Sequence, residues 1–376
     1  MRLRVAVDAT PLLVRPTGVG GVTRALLRRL GRHPDIAPLA FLVSWNGRGR
    51  LPELVPPGVM AVGRPMAARP LRALWRRADW PPIELWTGPV DVVHGPNFVV
   101  PPSRKAARVV TVHDLTAVRY PELCTADVLA YPDLLRRALA DGAWAQVPSA
   151  AVAEELRDHF TVPADRVVVV ANGVDGVPAA PDGAGRARAG RERYVLALGT
   201  LEPRKDLPTL VTAFDAVAAD DPDLGLVLAG ADGWGADAVH TAVANSPHRD
   251  RIRVTGWTDD QARAALLREA TVLAYPSLYE GFGLPPLEAM DVGVPVVATR
   301  VGALPEVLGD AADLVPPGDP DALAGALARV LTDEAHRADL VTRGRQRAGR
   351  YSWDAYTEGM VALYRRAAAS GPGATP

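Results

Sequence analysis

Cysteine is almost missing from this sequence, which has Cys124 alone among 376 residues. A single cysteine forms neither an internal disulfide nor a cysteine-based zinc site, and it is typical of proteins from a reducing compartment. No apolar run reaches the ~18 residues of a membrane span, and the N-terminal residues turn polar too early for a signal peptide. These absences predict a cytoplasmic protein.

An excess of charge of either sign is missing as well. The 42 Lys and Arg residues nearly balance the 43 Asp and Glu residues, for a formal net charge of -1. A dedicated nucleic-acid binder needs a clear basic excess, so the composition argues against a nucleic-acid partner. Lysine itself is scarce: only Lys105 and Lys205 stand among arginines. A lysine that persists against this bias is a candidate for a specific role.

Hydrophobic residues make up 48% of the chain and charged residues 23%, as in globular proteins. The length is typical of two domains. Val-rich apolar runs alternate with helical patterns in both halves, as expected for parallel strands buried on both faces. The sequence therefore predicts an α/β protein with two doubly wound parallel sheets and a cleft between them. The expected boundaries are a first domain over 1–175, a Pro/Gly-rich linker over 176–192, a second domain over 193–350 and a terminal helix over 351–369.

Individual elements follow from the same patterns. The strands expected in the first half are Leu3–Val7, Leu39–Val43, Val90–His94, Val109–Val112 and Val167–Val170, and the helices are Val22–Leu30, Tyr131–Asp141 and Ala150–His159. The strands expected in the second half are Tyr194–Leu198, Leu224–Ala229, Ile252–Thr255, Val272–Tyr275 and Val294–Ala298. Its expected helices are Leu207–Ala219, Gly235–Asn245, Asp259–Glu269, Pro285–Asp291 and Asp319–Thr332.

Polar candidates of the first half come where strands end, which is where open α/β sheets bind ligands. Asp8 ends the first strand, and the loop Thr17–Val22, with Gly20 and Gly21, precedes a helix. Bare N–H groups at a helix start bind anions, although a simple tight turn is an equal alternative. His94 and His113 also end strands. A ligand site is favoured over a metal pair, because no carboxylate cluster accompanies them.

The first strand of the second half runs through Gly199 into a loop that contains Arg204 and Lys205. Adjacent Arg and Lys neutralise a diphosphate, Arg as a planar fork and Lys as a point charge. The alternative is a solvated charged loop. The scarcity of lysine favours phosphate binding, and a lysine in a loop is expected to have little role in stability.

The most informative segment is Tyr279–Met290, which again follows a strand. Gly281 and Gly283 let the backbone approach a ligand closely. A helix is expected to begin at the prolines that follow, with Glu280 in the preceding loop and Glu288 in the first helical turn. Two carboxylates beside one helix start suit the hydroxyls of ribose and sugar. The alternative is that Glu288 only interacts favourably with the helix dipole and Glu280 lies on the surface.

In their order and spacing these motifs resemble the retaining glycosyltransferase family 4, which has the GT-B fold. The resemblance covers nearly the whole chain and implies two Rossmann-like domains. The family's Glu-x7-Glu pair matches Glu280 and Glu288, and its phosphate-binding pair matches Arg204 and Lys205. Further matches are the glycine loop at Gly18–Gly21, the His113-Asp114 pair, the Asn172–Asp175 run and the Gly302–Val307 run.

The resemblance implies a role for each matched residue. Arg204 and Lys205 stabilise the leaving diphosphate, Glu280 holds hydroxyls of the donor sugar, and Glu288 binds the ribose. His113 contacts the donor sugar near the reacting carbon. The catalytic set is thus expected to be His113, Arg204, Lys205 and Glu280. The remaining donor-binding positions are Gly20, Gly21, Gly199, Gly281, Phe282, Gly283 and Leu284.

The implied reaction is transfer of a hexose from a nucleotide-sugar, with retention of configuration and without a metal or other cofactor. The motifs are most similar to bacterial mannosyltransferases, which points to GDP-mannose; UDP- or dTDP-sugars are the alternative. The expected acceptor is a glycan, a lipid-linked molecule or a small molecule. The segment Arg69–Trp80 is basic and aromatic. It suits peripheral contact with the inner face of the membrane, whereas helix packing is the favoured alternative.

Two other functional classes are weighed against this one. A dinucleotide-dependent oxidoreductase needs the complete G-x-G-x-x-G fingerprint, but Thr23 occupies the place of its third glycine. A non-catalytic carbohydrate-binding protein has no need of an intact set of Arg204, Lys205, Glu280 and Glu288. The sequence therefore favours the transferase.

Overall fold

The computed structural model describes residues 2–13, 18–174 and 176–371. Thr17 of the glycine loop and Asp175, the last residue of the predicted first domain, lie outside the described residues. The chain divides into two compact units, one of Met1–Gly173 with Trp353–Pro376 and one of Val174–Ser352. The terminal helix therefore belongs with the first part of the chain.

The first unit is built on a parallel sheet of strand order β3-β2-β1-β4-β5-β6-β7. Its strands are β1 (Leu3–Asp8), β2 (Ile36–Phe41), β3 (Met60–Val62), β4 (Val92–Gly95), β5 (Ala107–Thr111), β6 (Trp144–Val147) and β7 (Val167–Val169). Its helices are α1 (Gly18–Leu30), α2 (Leu51–Leu54), α3 (Ala68–Trp75), α4 (Glu84–Thr87), α5 (Thr116–Arg119), α6 (Tyr131–Ala140), α7 (Ala150–His159) and the terminal helix α16 (Trp353–Ala369).

The second unit repeats the architecture with strand order β10-β9-β8-β11-β12-β13, again all parallel. Its strands are β8 (Arg193–Leu198), β9 (Leu224–Ala229), β10 (Ile252–Gly256), β11 (Val272–Tyr275), β12 (Val296–Thr299) and β13 (Asp313–Val315). Its helices are α8 (Ala184–Ala189), α9 (Leu207–Ala218), α10 (Ala236–Asn245), α11 (Asp260–Glu269), α12 (Leu284–Asp291), α13 (Leu304–Leu308), α14 (Pro320–Thr332) and α15 (Glu334–Ala348).

Both sheets are buried on their two faces, which explains the continuous apolar runs of their strands. Residues of β8 and β9 such as Val195, Leu196 and Leu226 are fully buried. Side chains cap some of the helix starts: the Ser149 hydroxyl accepts a hydrogen bond from the Val152 amide at the start of α7. The predicted α/β architecture of two doubly wound parallel sheets is confirmed.

The structure corrects the sequence prediction at the start of α1 and in the predicted linker. Helix α1 begins at Gly18, so Gly20 and Gly21 lie within its first turns rather than in a loop ahead of it. The segment 176–192, predicted as an unpatterned linker, contains α8. The carboxylate of Glu269 accepts hydrogen bonds from the amides of Gly183 and Arg186 at its start. These are backbone contacts, and the short helix Ala184–Ala189 consists of Ala, Gly and Arg, so it leaves no hydrophobic pattern in the sequence.

Membrane-spanning helices were sought over the part of the chain that the structure describes. None of its helices combines the length and the apolar character that crossing a bilayer requires.

Candidate active site

The strands β8 and β11 lie side by side in the second sheet, where the chain reverses its direction of strand addition. Such a switch point opens a crevice at the carboxyl ends of the strands. Arg204 and Lys205 follow β8, and Glu280 follows β11. Residues about 75 positions apart are therefore brought to one edge of the sheet.

A tight turn delivers the two cations to this edge. Pro203–Lys205 forms a single 3₁₀ turn, and Asp206 then takes a left-handed conformation (φ 45°) before α9 begins. Gly199 ends the preceding strand with φ 144°, a conformation that favours glycine. A Cβ there would lie 3.3 Å from Cε of Lys205. Gly199 thus leaves space for the lysine side chain to fold over the strand end.

Glu280 is the anion around which the site is organised. Its Oε1 accepts hydrogen bonds from the Lys205 ammonium at 2.6 Å and lies 2.8 Å from an Arg204 nitrogen. Lys205 also donates to the Tyr275 hydroxyl at 2.7 Å, with its ammonium 4.5 Å from the centroid of that ring. Arg204 donates to the Tyr279 carbonyl at 2.8 Å and to Glu202 at 2.7 Å. We call Arg204, Lys205, Tyr275 and Glu280 the cation cluster.

Burial and charge set the protonation states of this cluster. Burial raises the pKa of Glu280, but Arg204 and Lys205 outweigh it and hold that pKa at about 2. Burial lowers the pKa of Lys205, which the charge of Glu280 partly offsets. Burial also raises the pKa of Tyr275 well above its usual value. The cluster therefore pairs an ionised carboxylate with two cations and a neutral phenol.

The structure excludes the two alternatives that the sequence left open for these residues, and it corrects the expectation that Lys205 has little role in stability. Lys205 is not a solvated loop lysine, because its side chain is buried and pairs with a buried carboxylate. Glu280 is likewise buried rather than on the surface. Removal of Lys205 therefore has a structural cost, since an uncompensated buried charge is strongly destabilising.

Glycine at position 302 holds the backbone of Glu280 in place. Gly302 has φ 48°, and a Cβ there would lie only 2.2 Å from the Glu280 carbonyl oxygen. The Ala303 amide donates to that same oxygen at 2.9 Å. The run Gly302–Val307 therefore supports the site from the segment between β12 and α13, and sequence reasoning found it only as a family motif.

The helix that follows Glu280 begins one residue before its predicted start at Pro285. Helix α12 begins at Leu284 with Gly283 before it, so Glu288 lies past the first turn, contrary to the sequence prediction. Its carboxylate pairs with Arg263 of α11, and both side chains are partly exposed. Between Glu280 and α12, Gly281 and Phe282 are buried, and the Phe282 ring meets Tyr351 edge-on at 5.6 Å.

A small pocket opens beside the cluster at the ends of β8 and β11. Gly199, Lys205, Tyr275 and Ser277 line it together with neighbouring backbone. Sequence reasoning missed Tyr275 and Ser277, although their position at and just after the end of a buried strand is the signal that identifies the other site residues. Over the described residues, no group of three or more His, Cys, Asp or Glu side chains could hold a metal ion.

The remaining predicted residues lie in the first unit. Gly20 and Gly21 are in α1, and a Cβ at Gly21 would meet nothing within 4 Å. His113 follows β5, with its Nε2 2.8 Å from the Pro96 carbonyl oxygen. Burial lowers the pKa of His113, so the ring is neutral at pH 7 and Nε2 donates to that carbonyl. Asp8, at the end of β1, is buried and bonded to the Thr10 amide at 2.8 Å.

Comparison with known proteins agrees with this architecture. The family model described as "Glycosyltransferase Family 4" matches residues 16–176, and that described as "Glycosyl transferases group 1" matches residues 184–347. The O-antigen chain mannosyltransferase B of Escherichia coli is 28% identical over 96% of this chain and 100% of its own length. The MMP alpha-(1->4)-mannosyltransferase of Mycolicibacterium hassiacum is 35% identical, over 59% of this chain and 53% of its own length.

Among solved structures, the sucrose-phosphate synthase of Thermosynechococcus elongatus superimposes with a TM-score of 0.77 over 98% of this chain and all of its own. At 22% identity, this similarity shows the fold alone. The two family models together span both units, and each unit has the parallel sheet that the GT-B fold requires. The chain belongs to the family 4 glycosyltransferases of GT-B fold and is similar to bacterial mannosyltransferases.

Proposed function

We propose that this protein transfers mannose from GDP-mannose to an acceptor hydroxyl, with retention of configuration and without a metal ion. The observation that carries the proposal is the cation cluster at the switch point of the second sheet. Two cations converge there on one buried carboxylate oxygen, beside a pocket at the strand ends. Such a site suits a diphosphate leaving group, whose negative charge grows as the sugar departs.

The cluster has capacity left for such a group. An ammonium has three N–H donors, and among the described residues Lys205 directs two of them to Tyr275 and Glu280. The third is available to a phosphate oxygen. Because the pKa of Glu280 is about 2, this carboxylate stays ionised and can accept hydrogen bonds from sugar hydroxyls. Fixed donors of this kind stabilise charge without reorganisation during the reaction.

The donor assignment is supported by the names of the two relatives above, both mannosyltransferases. In this proposal Glu288 binds the ribose, which every nucleotide-sugar carries. Glu288 therefore cannot separate guanine from uracil or thymine. Base selection is assigned to Gly230–Trp234 and Gly256–Thr258, which follow β9 and β10 at the same edge of the sheet.

The acceptor in this proposal is a glycan, a lipid-linked molecule or a small molecule, bound by the first unit. Within α3, Leu71 and Trp75 are buried, which supports the helix-packing interpretation of the basic aromatic segment. Arg76, Arg77 and Trp80 remain exposed, with Trp80 58% accessible. Their exposure supports peripheral contact with an anionic membrane as part of the proposal.

Calorimetric titration of GDP, UDP and dTDP into the purified protein tests the donor. We expect GDP to bind most tightly; tighter binding of UDP or dTDP would overturn the GDP assignment and leave the glycosyltransferase assignment standing. Transfer in excess EDTA tests the metal-independent mechanism, since Arg204 and Lys205 supply the positive charge. The anomeric coupling constant of the product, measured by NMR, tests retention.

A further inference from the structure

A chain of hydrogen bonds runs through the interior of the first unit. The Tyr364 hydroxyl of α16 lies 2.8 Å from Nδ1 of His94 in β4. His94 Nε2 lies 2.9 Å from the Thr111 hydroxyl in β5, which donates to Oε1 of Gln146 in β6 at 2.7 Å. Gln146 Nε2 then donates to the Val170 carbonyl at 2.9 Å. We call these four side chains the buried relay.

The far end of the relay fixes the direction of every hydrogen bond in it. The Val170 carbonyl can only accept, so Gln146 presents its NH₂ group there and its oxygen to Thr111. The Thr111 hydroxyl has one proton and donates it to that oxygen. In its hydrogen bond with His94 it can therefore only accept, so His94 Nε2 must carry a proton and donate. Nδ1 of His94 is then the acceptor, and Tyr364 is the donor.

His94 is therefore neutral, in the Nε2–H tautomer. Burial independently favours the neutral form, because it lowers the pKa of His94 to about 3, with a smaller contribution from His113. The side chains of His94, Thr111, Gln146 and Tyr364 are all buried. A relay that is fully satisfied and removed from water specifies one arrangement of the groups it joins.

The relay links β4 and β5, the strands that are followed by Pro96 and His113 respectively. His94 is two residues before Pro96, whose carbonyl accepts from His113. Thr111 is two residues before His113, and its own carbonyl accepts from the Phe98 amide at 3.0 Å. The Phe98 ring meets His113 edge-on at 6.4 Å. Of the two contacts of His113, Pro96 thus lies two residues from His94, and Phe98 is bonded to the backbone of Thr111.

We infer that Tyr364 is a positioning residue for His113: by donating to His94 Nδ1, it satisfies the acceptor of the Nε2–H tautomer, holds the orientation of the His94 ring and so aligns the ends of β4 and β5. In the absence of the Tyr364 hydroxyl, Nδ1 becomes a buried acceptor without a donor, and the His94 ring loses the hydrogen bond that holds it on that side. The protonation and orientation of His94 can be tested whether or not the proposed function is correct. The predicted effect on kcat rests on the proposed function.

The test is a long-range ¹H–¹⁵N NMR spectrum of histidine side chains, which separates protonated from unprotonated ring nitrogens. In the unaltered protein at pH 7 we expect His94 to be protonated at Nε2 only. Tyr364→Phe and Thr111→Val should both change the His94 spectrum and shift the His113 Nε2 signal. Thr111→Ser keeps the hydroxyl that Thr111→Val removes, so its His94 spectrum and its His113 Nε2 signal should match those of the unaltered protein.

The matched control is Tyr356→Phe, which removes another buried hydroxyl from α16 outside the relay. It should leave the His94 and His113 signals in place. A His94 protonated at Nδ1, or a Tyr364→Phe spectrum identical to that of Tyr356→Phe, would overturn the inference. Because Tyr364→Phe and Thr111→Val break the relay at different points, the test survives if one of them does not fold.

The kinetic readout is hydrolysis of GDP-mannose without acceptor. We expect Tyr364→Phe to lower kcat about 10-fold with KM nearly unchanged, because a small misplacement of a reacting contact mainly slows the chemical step. Tyr356→Phe should keep kcat within about twofold. An unchanged kcat in a variant whose His113 signal has shifted would overturn the positioning role. If the unaltered protein neither hydrolyses any nucleotide-sugar nor transfers its sugar to any acceptor, the proposed function fails, and the NMR result still decides the relay.

Discussion

Lys205 and Glu280 meet with 2.6 Å between ammonium and carboxylate oxygen, although 75 positions separate them in the sequence. They meet because β8 and β11 are neighbours in the second sheet and both residues follow the carboxyl ends of their strands. The pair is buried and shares its carboxylate oxygen with Arg204. The same contact therefore contributes to the stability of the second unit and places two cations at the carboxyl edge of its sheet, where the donor binds in the proposed function.

Replacement of Lys205 should impair both roles. We expect Lys205→Met to lower turnover by about 10²-fold or more, which is the effect of removing one preorganised donor to a developing negative charge in other enzymes. It should also lower the free energy of unfolding by about 3 kcal/mol, near the low end for a broken buried pair, since Arg204 still contacts Glu280. Turnover and urea unfolding, measured on the same preparation, check the loss of activity and the loss of stability.

The double variant Lys205→Met/Glu280→Gln separates the two roles. It removes one charge of each sign, so it should recover most of the lost stability while activity stays low. Recovery of activity together with stability would show that Lys205 acts only as a structural residue.

Glu280 should make the protein sensitive to acid. Its pKa is lowered to about 2 in the folded chain from 4.5, so the stabilisation is complete above pH 4.5 and is lost as the pH falls towards 2. The loss is on the order of 3 kcal/mol. Urea unfolding of the unaltered protein and of Glu280→Gln at several pH values between 7 and 3 measures it. The difference between the two should shrink as the pH falls, and a constant difference would contradict the assignment.

Gly302 offers a test of how the Glu280 backbone is held. Gly302→Ala places a Cβ 2.2 Å from the Glu280 carbonyl oxygen, so Glu280 must shift and activity should fall at least about 10-fold. Gly318→Ala is the matched control, since Gly318 also has positive φ (67°) but open space around it. Both variants should lose about 1 kcal/mol to backbone strain. Equal activities in the two variants would rule out a specific role for Gly302.

Gly21 tests the glycine-rich start of α1. A Cβ there meets nothing in the chain within 4 Å, and alanine is a better helix former than glycine. Gly21→Ala should therefore keep stability or raise it by up to about 1 kcal/mol, yet weaken donor or acceptor binding if a ligand approaches this backbone. Gly325→Ala in α14, another helical glycine with open space, is the control. Full activity in Gly21→Ala would remove this glycine from the site.

Much of the fold could be predicted because the buried parallel strands carry their own signal. The strands at Leu224–Ala229 and Val272–Tyr275 were predicted with the bounds that the structure shows. Strand β6 was missed, because its sequence Trp144–Val147 includes Gln146, a polar residue that the buried relay requires. The edge strand β3 is three residues long and only partly buried, so its pattern is too short to recognise.

The sequence identified which residues form the candidate site, but it did not show that they are buried or how they pair. Strand ends and glycines located Arg204, Lys205 and Glu280, whereas nothing local in the sequence shows that a lysine from one strand end is buried against a glutamate from another. That pairing depends on strand order, which is a property of the whole sheet. The buried relay was hidden for the same reason: His94 was noticed at a strand end, but its partner Tyr364 lies 270 residues later.

The most direct test of glycosyl transfer is release of nucleoside diphosphate from a panel of GDP-, UDP- and dTDP-sugars by the purified protein, with and without excess EDTA. The account predicts release from GDP-mannose that EDTA does not reduce and that falls about 10²-fold or more in the stable double variant Lys205→Met/Glu280→Gln. Release from none of these sugars, or equal release by the double variant, would contradict it.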